Sequence, residues 1–552
     1  MILRSASAIF ASVLLLCLLT TGGHLYSPDE EIMFRVTESL ATRGALDVEP
    51  IRDPAGGTFA TKAGINGLEY AQYGVGNSLA AVPLYWLGAL ACKMIPDSRA
   101  EKLLHFQTTD YVPDAPLPGH ARLKRFMVSF LGALIAAATA ALLWKFAYAV
   151  APPPLDSSIE PDEESSERAS ELNRRRAAGL VALTYILATM AWPQSRTFFS
   201  EPLATFFCLL SFYYLAVPGP ASSLTHHRAF LSGMALAAAL LTRMDSAIVL
   251  PAIALLMLSR LPTGGVAPIE TSTWRDRIVD WVEERFTWTN IATLFTFGLP
   301  VLAFGLWYFA MNHIHFGDAF TTAYADQREG VNFTTPALAG LYGFFMSIGK
   351  SMFLFSPGML LGIAGYAAFR RNHPALAWSL LLVIALKIFV HSKWQNWAGG
   401  WCWGPRHIFL IHPFAILPAV AFFAAAVTIG RRLLADAVLL VGIFVQLYGC
   451  SQNFIDYYIL YFRTPATPPI ATVMYAADDT APGIMRLLRA NPGTGQMEPV
   501  SFAQLVAPIN DSIYVPQNSQ WYRYAEMWDR GYTDNLWLRL LQRSSGKEPP
   551  IR

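Results

Sequence analysis

The stretch that decides the fold is ASAIFASVLLLCLLTTGGHLYSPDEE, residues 6–31. Its apolar part, roughly 6–23, approaches the length of about 20 mostly apolar residues that a helix needs to cross a bilayer. Three adjacent carboxylates, Asp29, Glu30 and Glu31, follow it. Ionisable groups near hydrocarbon are costly, so three of them directly after a span indicate a functional site.

The structural interpretation of the same acidic segment is that it caps a helix. Ser27 is suited to the N-cap, Pro28 to the first helical position, and Glu30 completes a capping box. Acids in a first helical turn also complement the helix dipole. Three adjacent carboxylates are nevertheless more than a cap needs, so both interpretations stay open.

The composition is that of a membrane protein. Of the 552 residues, 54% are hydrophobic and only 14% are charged, against about 25% charged in an ordinary soluble domain. These figures exclude a disordered chain, a coiled coil and a disulfide scaffold. The 41 basic and 39 acidic residues nearly cancel, so bulk charge gives no case for nucleic-acid binding. The 5 cysteines have no CxxC spacing, and we expect neither a zinc site nor a disulfide framework.

Apolar runs separated by proline, glycine and charge clusters predict eleven transmembrane helices. The first run could instead be a signal peptide, because Arg4 precedes a short apolar core, but no convincing A-x-A cleavage site follows. The predicted spans are roughly 6–23, 126–150, 177–194, 202–217, 229–243, 246–260, 290–311, 353–369, 375–391, 408–428 and 433–450.

Arginine in short loops orients such a chain, because positive residues stay on the cytoplasmic side. With the N-terminus in the cytoplasm, the connections that follow the even-numbered spans are cytoplasmic, and each of them carries arginine beside a span. One cluster, Arg122 to Arg125, lies on the wrong side. The cytoplasmic clusters are 174–176, 226–228, Arg275 with Arg277 and Arg285, 370–371 and 431–432. We expect an integral protein of a bacterial inner (plasma) membrane.

Two regions do not fit a pattern of simple spans. The first extracytoplasmic loop, 24–125, contains an amphipathic segment at 32–40 and an interrupted apolar segment at 75–95. We expect both to be juxtamembrane helices, although 75–95 could also span the membrane. A small extracytoplasmic C-terminal region, 451–552, follows the transmembrane domain of 1–450. The predicted fold class is therefore an all-α polytopic membrane protein.

Most of the unusual polar residues near the predicted membrane boundaries fall on the extracytoplasmic side. Their collection on one face predicts a site at the outer membrane surface. Arg243 and Asp245 could instead form a pair that stabilises a short turn. The candidate site residues are Asp29, Glu30, Lys62, Tyr73, Glu201, Arg243, Lys350, Trp401, Arg406 and His407.

The segment WQNWAGGWCWGPRH, residues 394–407, is the second strong candidate. An aromatic belt at the membrane interface would explain its four tryptophans. Its three glycines, however, predict close backbone approach or positive φ angles. Arg406 offers a planar fork suited to phosphate. Lys350 precedes the Ser-Pro-Gly break at 356–358. It is a weaker example of the same pattern, in which a cation lies ahead of a helix start.

The order of these features resembles the GT-C membrane glycosyltransferases. Within them it is most similar to the protein O-mannosyltransferase and aminoarabinose-transferase group, which use a polyprenyl-phosphate sugar. The similarity covers about residues 5–430. It is carried by Pro28-Asp29-Glu30, Tyr73-Gly74-Val75-Gly76 to Pro83-Leu84-Tyr85, Ser200-Glu201-Pro202, Leu241-Thr242-Arg243, and Gly399-Gly400 to Gly404-Pro405-Arg406.

The resemblance implies an inverting hexosyl- or pentosyltransferase that moves a sugar from polyprenyl phosphate to a lipid, glycan or protein hydroxyl at the extracytoplasmic face. Asp29 would be the base that takes the hydroxyl proton, with Glu30 as its partner. The scheme needs no cofactor, and a divalent metal is an open alternative. The candidate cations for the donor phosphate, in falling order, are Arg406, Lys350, Arg243 and Lys62. The candidate substrate-binding residues are Glu201, Tyr73, Trp401 and His407.

Other function classes compete with this one. A polytopic transporter would suit intramembrane charge and broken helices, but the sequence has no internal repeat. A lipid-linked glycan polymerase or ligase could use Arg406 and His407, whereas the early acidic pair Asp29 and Glu30 argues against it. A scaffold without chemistry fits poorly with polar residues collected on one face.

Overall fold

Helices make up most of the described chain in the computed structural model. The residues described are 5–52, 58–105, 117–152, 163–217, 224–262, 285, 287–324, 333–394, 396–425, 428–461, 473–477, 485–490, 497–499 and 513–544. Arg275 and Arg277 of the predicted cytoplasmic pattern lie outside them.

The helices follow one another along the chain with few long connections among the described residues. They are α1 Ala6–Leu19, α2 Pro28–Arg43, α3 Val75–Met94, α4 Asp97–Leu103, α5 Gly119–Val128, α6 Leu131–Val150, α7 Glu163–Leu187, α8 Ala191–Gln194, α9 Glu201–Ala216, α10 His226–Thr242, α11 Leu250–Arg260, α12 Trp288–Phe316, α13 Ala337–Met346, α14 Met352–Phe355, α15 Met359–Asn372, α16 Pro374–Ser392, α17 Ile411–Ile416, α18 Ala419–Ala424, α19 Ile429–Ser451, α20 Phe454–Tyr461, α21 Gln520–Asp529 and α22 Leu536–Ser544. Short 3₁₀ turns occupy Met244–Val249, Arg406–Ile408 and Pro516–Asn518.

The first helix ends earlier than the sequence predicts, and the second begins where the capping pattern places it. α1 stops at Leu19 because Gly22 and Gly23 follow, and Gly23 takes a positive φ of 72°. At the start of α2, the Ser27 hydroxyl accepts a hydrogen bond from Glu30 N. The acidic segment therefore does start a helix, as its structural interpretation expects.

Five helical stretches of the described chain are long and apolar enough to cross a membrane, as expected of an integral membrane protein. They are Val75–Met94, Gly119–Val150, Trp288–Phe316, Pro374–Ser392 and Ile429–Ser451. This finding does not confirm eleven spans. Two predicted spans are interrupted, 353–369 near Pro357 and 408–428 at Pro418, because proline lacks a backbone donor and clashes with the preceding turn.

Short strands occur where the sequence predicts an all-α fold, and this corrects the prediction. In the loop after α2, β1 Ile51–Arg52 pairs antiparallel with β2 Thr58–Phe59, and β3 Thr61–Ala63 pairs with β4 Glu69–Ala71. An Asn-Gly turn closes the second hairpin, with Gly67 at a φ of 77°. In the C-terminal region, an antiparallel sheet consists of β5 Val473–Ala477, β6 Met485–Ala490 and β7 Met497–Pro499.

The start of α3 fixes the relative positions of α2 and α10. A Cβ atom at Gly76 would lie 2.9 Å from both the Cα and the N of Thr242, the last residue of α10. Only glycine allows this close approach, because protein interiors leave no room for an added carbon. On its other side, Ser78 donates a hydrogen bond to Met33 O at 2.8 Å. These contacts bring Arg243, directly after α10, close to the helix that begins with the acidic segment.

Candidate functional site

The first acid of α2 is paired with the arginine of the tryptophan-rich segment. Arg406 Nη2 lies 2.9 Å from Asp29 Oδ2, although the two residues are 377 positions apart in the chain. The Arg406 guanidinium also stacks over Phe199, 4.4 Å from the ring centroid. Burial lowers the pKa of Arg406, but Asp29 and Glu201 oppose it and hold that pKa above its usual value. The Asp29 side chain is 18% exposed and that of Arg406 12%, so the pair is shielded and still accessible.

The two acids after Asp29 are buried, and the role of Glu30 as partner of the base stays a prediction. Glu30 is fully buried, and its Oε2 accepts a hydrogen bond from Tyr26 N at 2.7 Å. Burial raises the pKa of Glu30 to about 8, so it is protonated at pH 7. Burial also acts to raise the pKa of Glu31, but the ion pair with Arg125 at 2.7 Å brings it below its usual value. Asp29 is therefore the acid that remains available to a ligand.

Lys350 organises the loop that leads to Arg406. Its ammonium donates hydrogen bonds to the carbonyl oxygens of Gly400, Cys402 and Gly404 at 3.3, 3.1 and 3.0 Å. The residue is 1% exposed, and an ammonium has three donors. These contacts use the hydrogen-bonding capacity of Lys350 inside the protein, and its binding of the donor phosphate stays a prediction.

The glycines of the same loop adopt the conformations that the sequence predicts. Gly399, Gly400 and Gly404 have φ angles of 83°, 62° and 67°, values that favour glycine because it has no Cβ. A Cβ at Gly399 would also lie 2.9 Å from Arg406 Cγ. The loop thus wraps closely around the arginine, and Lys350 holds its carbonyl groups in place.

A second ion cluster surrounds the turn after α10. Arg243 Nη1 lies 2.9 Å from Glu201 Oε1, and Arg243 Nε lies 3.0 Å from Asp245 Oδ1. Lys387 Nζ and His391 Nε2 approach Asp245 Oδ2 at 2.6 and 3.4 Å. Burial acts to raise the pKa of Asp245, but Arg243 and Lys387 hold it well below its usual value. The predicted Arg243–Asp245 pair is confirmed, and it belongs to a larger network.

Sequence reasoning missed two members of this cluster, Lys387 and His391, because both lie within the apolar run predicted to span at 375–391. Their spacing of four residues places them one turn apart on the same face of a helix. The signal that could have identified them is the occurrence of a lysine and a histidine at this spacing inside an apolar run. Lys387 is 3% exposed and His391 4%.

A cavity of about 680 Å³ adjoins the second ion cluster. Side chains from α10 and α12, among them Leu241, Phe304 and Trp307, give it a largely apolar wall, and Arg243 contributes a charged group. Tyr73 also lines it. Burial raises the pKa of Tyr73 well above its usual value, and the negative charge of Asp29 adds to the effect. Arg243 and Asp245 of the second ion cluster line this cavity, and Tyr73, in the same wall, lies within electrostatic range of Asp29 and Arg406.

His407 lies between the two ion groups. Its Nδ1 is 4.0 Å from Glu201 Oε1, and its ring packs on Trp394 with centroids 4.4 Å apart. Burial lowers the pKa of His407 well below its usual value, and the cations of Arg406 and Arg243 lower it further. The imidazole is consequently neutral, and it separates the charged residues without adding a charge of its own.

The structure places Lys62 and Trp401 at the edges of this region. Lys62 belongs to β3, and its ammonium lies 5.6 Å from the ring centroid of Phe316, a residue that lines the cavity. Trp401 stacks on Tyr458 of α20, with centroids 5.6 Å apart. The proposed contacts of these two residues with phosphate or sugar stay predictions.

The described residues contain no group of three or more histidine, cysteine, aspartate or glutamate side chains that could hold a metal ion. The charged side chains of the site instead pair with one another.

Comparison with known proteins gives matches to solved structures. No protein-family model matches the chain, and no curated protein does. ArnT from Cupriavidus metallidurans bound to undecaprenyl phosphate is 13% identical with a TM-score of 0.40, and the match covers 84% of this chain and 65% of ArnT. ArnT from the same organism in the apo state is 12% identical with a TM-score of 0.41, and the match covers 84% and 81%.

A third match is the archaeal oligosaccharyltransferase AglB from Archaeoglobus fulgidus in complex with an inhibitory peptide and a dolichol-phosphate. It is 10% identical with a TM-score of 0.40, and the match covers 81% of this chain and 55% of AglB. The chain thus spans less than two thirds of AglB and of ArnT with its lipid. Similarity at this level does not assign a function to this chain.

Proposed function

We propose that this chain is an inverting glycosyltransferase that moves a sugar from a polyprenyl-phosphate donor to an acceptor hydroxyl at the extracytoplasmic membrane face. The observation that carries the proposal is the Asp29–Arg406 pair, a partly exposed carboxylate held by an arginine near a largely apolar cavity. Such a reaction needs a base, a cation for the leaving phosphate and space for a lipid chain. All three have a candidate within one region of the protein.

In the proposed reaction, the acceptor oxygen attacks the anomeric carbon of the sugar. The hydroxyl proton passes to a carboxylate oxygen of Asp29 as the new carbon–oxygen bond forms. The bond between the anomeric carbon and the phosphate oxygen breaks, and its electron pair stays on the phosphate. Attack opposite the leaving group inverts the anomeric configuration. The products are the glycosylated acceptor and polyprenyl phosphate, and Asp29 releases its proton to water.

Arg406 and Arg243 are the two cations that we assign to the donor phosphate. Arg406 is oriented by Asp29, and Arg243 by Glu201 and Asp245. Because these carboxylates hold the guanidinium groups in place before a substrate arrives, little reorganisation accompanies the development of charge on the phosphate. One preorganised donor of this kind stabilises a transition state by roughly 3–4 kcal/mol. The apolar wall of the cavity suits the polyprenyl tail.

Donor cleavage tests the proposal. Membranes that contain the protein are supplied with a panel of polyprenyl-phosphate hexoses and pentoses, each labelled in the sugar. Membranes without the protein and the same sugars on nucleoside diphosphates are the controls. We expect protein-dependent release of polyprenyl phosphate together with labelled acceptor from at least one lipid donor. Transfer from the nucleotide sugars alone, or from none of the lipid donors, would contradict the proposal.

The ion pair between the buried Lys387 and the partly exposed Asp245 favours a second candidate function, that of a transporter. Ion pairs at membrane depth mark substrate and ion pathways in many membrane proteins, and Lys387 lies within the apolar helix α16. In proteoliposomes, movement of a labelled lipid-linked sugar to the opposite leaflet without cleavage would support transport. Cleavage with formation of a glycosylated acceptor would exclude it as the main activity.

A further inference from the structure

The C-terminal region contacts the connection between α1 and α2 through one buried acid. Asp534 is 1% exposed; it accepts a hydrogen bond from Tyr26 OH at 2.8 Å and forms an ion pair with Arg539 Nη2 at 2.7 Å. It also pairs with Arg196 and, at 2.9 Å, with His24 Nε2. Burial acts to raise the pKa of Asp534, but Arg196, His24 and Arg539 hold it well below its usual value. The carboxylate is therefore charged, and it contacts two residues of the connection between α1 and α2, His24 and Tyr26.

Contacts made by residues just after Asp534 attach the same segment to the end of α1. Leu536 N donates a hydrogen bond to Thr21 O at 2.9 Å. Trp537 Nε1 donates to Leu18 O at 2.8 Å. The last carbonyl groups of a helix have no partner within it, and here the C-terminal segment supplies donors near that end. The connection from α1 to α2 is thus held by backbone contacts as well as by the ion cluster.

One path leads from Asp534 to the proposed base. The Tyr26 hydroxyl is bonded to Asp534, and the Tyr26 backbone N donates to Glu30 Oε2 at 2.7 Å. Glu30 follows Asp29 directly in the first turn of α2. This gives the buried Glu30 a structural role: its side chain connects the start of α2 to a residue that the C-terminal segment holds in place.

A second path leads from the same tyrosine to the proposed phosphate-binding cation. The Tyr26 ring stacks on Phe454 with centroids 5.1 Å apart and an angle of 16°. Phe454 packs on Phe199 at 6.1 Å, and Phe199 lies beneath the Arg406 guanidinium. Tyr26 therefore contacts supports of both Asp29 and Arg406, and Asp534 fixes Tyr26.

We propose that the segment 513–544 is a positioning element, in which Asp534 holds Tyr26 and thereby keeps Asp29 aligned with Arg406. The inference rests on the proposed function, because alignment matters for a group that takes part in the chemistry. Asp534 does not touch the pair, so it is a positioning residue rather than a catalytic one. A small misplacement of a base lowers a rate strongly even when substrate binding persists.

Hydrogen exchange combined with kinetics tests the inference. Asp534→Asn removes the charge and keeps the shape, and Tyr26→Phe removes one hydrogen bond without uncovering a buried charge. Asp529→Asn is the matched control, because Asp529 is an exposed acid at the end of α21. Each full-length variant is compared with the wild-type protein in detergent, and hydrogen exchange is measured for the peptides covering 20–31 and 396–406. Labelled sugar transfer then gives kcat and the KM for the lipid donor.

We expect faster exchange in both peptides for Asp534→Asn and Tyr26→Phe, and unchanged exchange for Asp529→Asn. We also expect kcat to fall about tenfold or more while KM for the donor changes less than about twofold. Loosening confined to 513–544, or an equal change in kcat and KM, would overturn the inference. If Asp534→Asn fails to fold, Tyr26→Phe decides by the same criteria. If the wild-type protein transfers no sugar, the proposed function fails, and the exchange data alone decide whether the segment 513–544 is a positioning element.

Discussion

Three adjacent acids in one helical turn have three different environments, and burial distinguishes them. Glu30 is fully buried and accepts a backbone hydrogen bond, Glu31 is buried against Arg125, and Asp29 alone of the three keeps 18% exposure and pairs with Arg406. The residue types alone do not distinguish the three acids, because all are carboxylates after the same cap. We propose Asp29 as the base because the other two acids are engaged in packing and ion pairing.

Replacing Arg406 by lysine tests the role of the guanidinium. Arg406→Lys keeps the charge but loses the planar fork that pairs with Asp29 and stacks on Phe199. We expect the rate of sugar transfer to fall about tenfold or more, since removal of one preorganised donor costs about 10²–10³-fold and lysine keeps only the charge. The measurement is the initial rate at equal protein level. Arg43→Lys, at a 54% exposed arginine, is the control, and equal rates for the two variants would refute the assignment.

The raised pKa of Glu30 predicts how stability changes with pH. The carboxyl ionises near its usual pKa of 4.5 in the unfolded chain and only at about 8 in the folded protein. Between these values the folded state binds more protons, so the stability conferred by this group is lost as pH rises through the window. We expect Glu30→Gln to abolish this loss, and its Tm relative to wild type to rise from pH 5 to pH 8. A difference in Tm that is independent of pH would show that Glu30 is ionised in the folded protein.

At the scale of elements, close approach of helices could be anticipated from glycine, but the partners could not. The glycines at 399–404 predict the positive φ angles that the loop shows. The stretches around Gly76 and Thr242 both stand out in the sequence, yet only the structure shows that they touch. The predicted span 408–428 divides into two helices at Pro418, a break that was not anticipated from the sequence. Local backbone preferences are readable from a sequence, whereas contacts between distant segments are not.

A methyl group at the α3–α10 contact tests this packing. Gly76→Ala would place a carbon 2.9 Å from the Thr242 backbone, and overpacking of this kind costs about 1–3 kcal/mol. We expect a lower Tm and a lower transfer rate, because Arg243 follows Thr242. In the matched control, Gly305→Ala, nothing lies within 4 Å of the added carbon. The control should have equal or higher stability, and a similar loss of Tm in both variants would contradict the packing argument.

At the scale of the whole molecule, the site is assembled from distant parts of the chain. Asp29 and Arg406 are 377 residues apart, and His24 and Asp534 are 510 apart. The sequence indicated the acidic segment and the tryptophan-rich segment separately, because each has a local pattern. It did not indicate Asp534, which has no neighbouring motif, or Lys387, which is concealed within an apolar run. The partial exposure of Asp29 beside an arginine arises from this assembly.

The rate of sugar transfer by Asp29→Asn tests the central claim most directly. Asparagine has nearly the shape of aspartate but cannot accept the acceptor's proton, and general-base catalysis contributes about 10²–10⁴-fold to a rate. With the lipid donor that the wild-type protein uses and at equal protein level, we predict at least about a hundredfold slower transfer. Asp529→Asn should keep the wild-type rate. Transfer by Asp29→Asn at the wild-type rate would contradict the account.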